Sequence, residues 1–187
     1  MAQKFATYST AGLITGFYDA VDSPAPAGVP AIAITDAQWK AALTTPGYTV
    51  QSGVLTAPTA AALLAAAQSL QSSQLSQSCA SVITGGYPSV ALGAANTYGS
   101  QSTDQQNLTD AMNASLVSGL AAGWTTLLWC APSSGAWALT PHSAPQVQQV
   151  HADWLAFRLA QQNKLVTFKA QANAAATIAA VQAIVWS

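Results

Sequence analysis

Apolar residues recur at Val147, Val150, Trp154, Phe157, Leu165 and Phe168, with Gln161 filling the one polar place, in steps of three and four. That period lays one stripe along a helix and predicts the longest helix of the chain, starting near Ser143 or Pro145, with a bend or interruption near Asn163. A last helix should begin at a Thr177 cap and close in Val181, Ile184, Val185 and Trp186, an apolar end expected to dock on the core or on a partner. A third helical pattern, Leu108, Met112 and Leu116, follows cap residues at Ser102–Gln106 and should run to about Leu120, ended by Gly123. Between these helices the pattern turns to β. Trp124–Trp129 and Trp137–Thr140 flank Pro132-Ser133-Ser134-Gly135 and read as a hairpin, and Ala80–Thr84 and Ser89–Leu92 read as short strands around Gly85-Gly86.

Towards the N-terminus, Lys4–Asp19 reads as two strands broken at Ala11-Gly12, and Pro24, Pro26 and Gly28 predict a loop. Thr35 with Gln38 three residues on is a capping box for a short helix to about Leu43, stopped by Pro46-Gly47, and Tyr48–Thr56 is a second β segment. Pro58-Thr59 then opens an Ala/Leu/Gln/Ser stretch to about Ser78. In it Leu63, Ala67, Leu70 and Gln74 alternate at four, three and four, the spacing of a coiled-coil seam over less than two heptads, which leaves a plain amphipathic connector as the competing reading. The fold class expected is α+β: a small β-containing attachment region over 1–57, a helical connector over 58–78, and a C-terminal domain over 79–187 of short antiparallel strands with one long and two shorter helices.

Charge changes the picture more than hydropathy does. Hydrophobic residues are 51% of 187, yet charged residues are 6%, there is no Glu, and Arg158 is the lone arginine. Lys4, Lys40, Arg158, Lys164 and Lys169 are too few and too scattered to displace counterions from a phosphate backbone, so nucleic acid is excluded as a partner. No apolar run reaches the 18 residues of a membrane span, and the first residues lack the basic and apolar regions of a cleaved secretion signal. A near-neutral Gln/Ser/Thr surface has little self-repulsion, which suits a chain held among copies or partners; a drift of composition toward Ala is the competing explanation. Cys79 and Cys130, without a CxxC or a neighbouring His, read as buried free thiols.

Chemistry finds few candidates. His142, between Pro141 and Ser143, and His151, two residues before Asp153 on another helix face, read as surface or capping residues. There is no G-x-S-x-G elbow, P-loop or dinucleotide fingerprint. Glycan hydrolysis takes two carboxylates, but Asp36 and Asp104 fall in first turns, where they serve the helix dipole, and Asp19 with Asp22 reads as loop solvation rather than a cation or sugar site. Of the six tryptophans, Trp39, Trp124, Trp129, Trp154 and Trp186 read as core; Trp137, beside the hairpin tip, is the one whose exposure would support sugar stacking.

From about Ile83 onward the chain resembles the uncharacterised C-terminal domain of short phage proteins encoded beside tail fibre genes. The features are Tyr98 before Asp104-Gln105-Gln106-Asn107-Leu108, Trp129, Gly135-Ala136-Trp137, Thr140, a long helix, and Val181-Gln182-Ala183-Ile184-Val185-Trp186. Gly16-Phe17-Tyr18-Asp19 and the Ile34-Thr35-Asp36 helix start are similar to the opening of phage tail fibre assembly proteins. The resemblance implies a place in a virion tail and offers no catalytic residue. The expectation is a non-enzymatic tail component made in the host cytoplasm, without cofactor or metal. Its partners would be fibre, baseplate or tail-tube adaptor proteins and copies of itself, with a trimer as one arrangement. Leu63, Ala67, Leu70, Gln74 and Trp186 are the candidate assembly interface. An assembly chaperone absent from the finished particle is the second hypothesis, and a glycan-binding or glycan-degrading receptor protein the third.

Overall fold

The computed structural model describes residues 2–187. The chain is α+β. It forms two compact units, one ending at Ala67 and one of Gln68–Ser187.

In the N-terminal unit, β1 (Lys4–Tyr8) is the centre of a three-stranded antiparallel sheet between β2 (Ile14–Asp19) and β3 (Ala31–Ile34). β3 was not expected from sequence, because four residues of Ala and Ile are too short to show a period; pairing with β1 makes them a strand. The next helix, α1 (Asp36–Thr44), is capped as its sequence requires: Thr35 Oγ1 accepts from the Gln38 amide at 3.1 Å, and Gln38 Oε1 accepts from the Thr35 amide at 2.8 Å. A hairpin of β4 (Thr49–Gln51) and β5 (Val54–Thr56) follows. Ala6, Ile34, Ala42, Val50 and Leu55 form this unit's core.

Helix α2 (Ala60–Thr84) begins after Thr59, whose Oγ1 accepts from the Ala62 amide at 3.1 Å, and it runs six residues past the expected Ser78 end. It therefore takes in Ala80–Thr84, which the sequence marks as a strand. Packing overrides the β-branched local preference there, with Cys79 buried and its Sγ 3.6 Å from the Gln161 carbonyl. Gly85-Gly86 is accordingly a helix-to-strand junction and not a hairpin turn. The C-terminal unit is completed by β6 (Tyr87–Ser89), β7 (Asn96–Tyr98), α3 (Ser102–Ser115), β8 (Thr125–Pro132), β9 (Ala138–Ser143), α4 (Ala144–Ala174) and α5 (Ile178–Gln182). The four strands form one antiparallel sheet in the order β6-β7-β8-β9.

One core holds this unit: Tyr87, Tyr98, Leu108, Ala111, Leu128, Cys130, Val147, Val150 and Trp154. The α4 stripe is the one the sequence predicts, but the helix runs uninterrupted through Asn163. α3 stops at Ser115, short of Leu120. Its buried positions are Leu108, Ala111 and Ser115, while Leu116, the residue after the helix ends, is 62% exposed; in the last turn Ser115 Oγ donates to the Met112 carbonyl at 2.7 Å. Thr177 caps α5 as expected, accepting from the Ala180 amide at 3.1 Å.

Candidate binding site

The site is built on alternation along β8. Leu128 and Cys130 point into the core, so Leu127 and Trp129 take the other face, where Trp129 stands in register with Leu139 and Leu127 with Pro141 of β9. Trp129 is 48% exposed, against the expectation that it is core, and Trp137, in the loop before β9, is equally exposed.

Two neighbouring clefts open beside these side chains. The first, about 430 Å³, is lined from α3 by Asp104, Asn107 and Asp110, each three residues apart, and from the strands by Leu127, Trp129 and Leu139. The second, about 510 Å³, is lined by Gly85, Gly86, Gly99, Ser100 and Gln101 together with Trp129 and Trp137. Gly99, Asp104 and Trp129 border both. Neither lining includes a Lys, Arg or His.

The floor of the second cleft is held by side chains bonded to backbone. Ser100 Oγ donates to the Ile83 carbonyl at 2.7 Å and accepts from the Gly86 amide at 2.8 Å; Gln101 Nε2 donates to the Thr84 carbonyl at 2.7 Å, and Gln105 Nε2 to the Ser100 carbonyl at 2.8 Å. The bonds to the Ile83 and Thr84 carbonyls take up acceptors that the end of α2 would leave without partners. Two glycines shape the floor. Gly86 has φ +102°, and a Cβ on Gly99 would lie 2.5 Å from Asp104 Oδ2. Asp104 sits in the first turn of α3 as the sequence implies, and its Oδ2 accepts from the Gln101 amide at 3.0 Å. The Asp110 Oδ1 accepts from Gln106 Nε2 at 2.9 Å.

Beneath the first cleft the polar groups are closed off. His142 is fully buried, in contrast to the surface or capping role its sequence context suggests. Its Nε2 lies 2.7 Å from the Tyr98 hydroxyl and its Nδ1 2.8 Å from the Thr140 carbonyl, an arrangement satisfied by a neutral ring with the proton on Nδ1. Burial lowers the His142 pKa from its ordinary value and raises those of Tyr98 and Tyr87. In the N-terminal unit Asp19 is likewise not a solvated loop residue. It is buried, paired with Lys4, and accepts from the amides of Val21 and Asp22; the Lys4 bond first, then those amides, bring its pKa to about 2. Cys79 and Cys130 are both buried and free.

The residues singled out as an assembly seam divide. Leu63 and Ala67 are half-buried, Leu70 and Gln74 exposed. The stripe of α2 that packs within the C-terminal unit is instead Gln71, Leu75 and Cys79. Gln71 hides this stripe from sequence reading, since it looks polar but is buried with its Nε2 donating to the Ile184 carbonyl at 2.6 Å. Trp186 packs edge-on against Phe168 at 5.7 Å between ring centroids, with Lys164 Nζ 5.1 Å from its ring, so it closes onto α4 of its own chain. Sequence reasoning also missed a second face of α4. Leu155, Leu159 and Val166 are 41%, 57% and 68% exposed, and at ~100° per residue they lie within ~40° of one another, well away from the buried Val147–Trp154 stripe.

The model of one family matches residues 66–185. The chain belongs to the family described as Domain of unknown function (DUF4376). The DUF4376 span starts inside α2 and contains both clefts, the four-stranded sheet and the whole of α4. Neither a curated protein nor a solved structure matches the chain.

Proposed function

We propose that this chain is a non-catalytic structural component of a bacteriophage tail, at or beside the tail fibre, that works by holding other tail proteins or copies of itself. The observation that carries the binding role is the exposed aliphatic stripe Leu155-Leu159-Val166 on α4. A 31-residue helix that buries one stripe in its own unit and leaves a second, narrow aliphatic stripe in water has the surface of a helix–helix interface. The scarcity of charge supports the same reading, since nothing on such a surface opposes close packing of copies. The likeness of the C-terminal half to proteins encoded beside tail fibre genes supports the virion tail as its location and fibre, baseplate or tail-tube adaptor proteins as its partners. Among the described residues no helix is long and apolar enough to cross a membrane.

Two measurements test this. Sedimentation of the purified chain should reveal an oligomer that Leu159→Lys converts to a monomer with an unchanged circular dichroism spectrum; a wild-type monomer at tens of micromolar removes the self-assembly half. Mass spectrometry of purified virions should find the chain in fixed proportion to the fibre protein. Absence from particles together with co-purification with unassembled fibres turns the reading to an assembly chaperone.

A further inference from the structure

We propose that the paired clefts between α3 and the β8–β9 hairpin form a binding site for a neutral saccharide, with Trp129 and Trp137 as stacking platforms and Asp104 and Asn107 as the hydroxyl-facing polar groups. Three observations converge on that ligand class. The volumes, about 430 and 510 Å³, fall in the range of small-molecule sites. Two tryptophans, each half exposed, border the same cleft, and Trp129 continues into its neighbour, so one aromatic wall serves both. Indole in water is costly unless an apolar face covers it, and the axial C–H face of a pyranose is apolar and of matching size. Groups that suit hydroxyls line the clefts too: the Asn107 amide both donates and accepts, and Asp104 keeps Oδ1 for a ligand while Oδ2 accepts from the Gln101 amide.

The lining also selects against other ligands. With no Lys, Arg or His on either cleft and two carboxylates on the first, an acidic sugar or a phosphate finds no cation to pair with and meets the repulsion of those carboxylates. A lysine-bearing peptide is the competing occupant, since a cation suits both carboxylate and indole. It is disfavoured because Asp110 already accepts from Gln106, whereas the Asn107 amide and the second tryptophan answer hydroxyls and ring faces. The floor is fixed before any ligand arrives, by the bonds of Ser100, Gln101 and Gln105 and by the close approach of Gly99 to Asp104, so little ordering remains for binding to supply.

The test uses the full chain and a panel of uncharged oligosaccharides of glucose, galactose, mannose, rhamnose and N-acetylglucosamine, read by tryptophan fluorescence and by calorimetry. At least one should bind, and Trp129→Ala and Trp137→Ala should each weaken it about tenfold or more, the loss typical of an aromatic anchor. Asn107→Ala, on the exposed helix surface, should weaken it without moving the melting temperature, which keeps the test decisive if Trp129→Ala fails to fold. No binding across the panel, binding untouched by Trp137→Ala and Asn107→Ala, or capture of an oligolysine peptide in place of sugar overturns the proposal. The inference does not rest on the α4 stripe: a chain present in virions but blind to every sugar loses this site and keeps its place in the tail.

Discussion

Replacing Ser100 with alanine should cost far more than an ordinary serine on a connecting segment. Ser100 is 1% exposed and lies between β7 and α3, where its hydroxyl answers two backbone groups at once, the Ile83 carbonyl and the Gly86 amide. Ser100→Ala removes both bonds and leaves a donor and an acceptor facing a methyl group. An unsatisfied buried polar group costs about 1–3 kcal/mol, and because Ile83 and Gly86 are only half-buried the lower part of that range applies to each, giving about 2–3 kcal/mol in total. For a domain of this size that is a fall in Tm of roughly 6–15 °C. Urea unfolding followed by tryptophan fluorescence should show a lower midpoint with an unchanged slope, since the surface exposed on unfolding is the same. Ser73→Ala is the matched control: the Ser73 hydroxyl donates to the Ser69 carbonyl at 3.2 Å on the exposed side of α2, and its loss should stay within about 0.5 kcal/mol. If Ser100→Ala destabilises no more than Ser73→Ala, the claim that this hydroxyl holds the cleft floor is wrong.

Gly99→Ala should destabilise the C-terminal unit by about 0.5–2 kcal/mol, because the new Cβ would sit 2.5 Å from Asp104 Oδ2 and displace that carboxylate from the Gln101 amide it accepts from; a melting curve matching wild type would refute the close approach. Trp154→Ala, which removes a ring lying 5.1 Å from Tyr87 and 6.3 Å from Phe157, should cost about 3–5 kcal/mol in the same denaturation assay. Acid should act on the two units in different windows. The folded pKa of His142 is lowered from 6.5, so the unfolded chain takes up the proton first and stability of the C-terminal unit falls as pH drops below about 6.5. His142→Gln should flatten that fall in melts taken between pH 7 and 4.5. The pKa of Asp19 is lowered from 3.8 to about 2, so its contribution to the N-terminal unit is intact above about pH 4 and is lost as pH falls through 2, which Asp19→Asn should abolish. Both cysteines should resist a thiol reagent in native buffer and react fully in denaturant; rapid native labelling of either would contradict their burial.

Local signals were legible where a residue acts on its immediate neighbours. The Thr35–Gln38 box, the Thr177 cap, the three-and-four stripe of α4 and the Pro132–Gly135 turn each depend on groups within a few residues, so the chain alone determined α1, α5, α4 and the β8–β9 hairpin. Low charge was equally legible. The candidate site was half legible: exposure of Trp137 follows from its place beside a turn, and the outward turn of Trp129 was available in principle from its alternation with Leu128 and Cys130. What no local signal carried was which groups distant in sequence meet. Only the tertiary structure brings Ser100 to the end of α2, Tyr98 to His142 and Gln71 to the Ile184 carbonyl, so buried polar residues that look like surface in the sequence became parts of the interior. The same is true of Ala80–Thr84, helical because the buried face of α2 continues through Cys79 and overrides β-branched preference, and of the second α4 stripe, whose significance depends on knowing that the first is already covered. Sequence determined the elements that rest on neighbouring groups and the scarcity of charge; the long-range pairing of polar groups, which costs free energy unless every partner is present, decided the site.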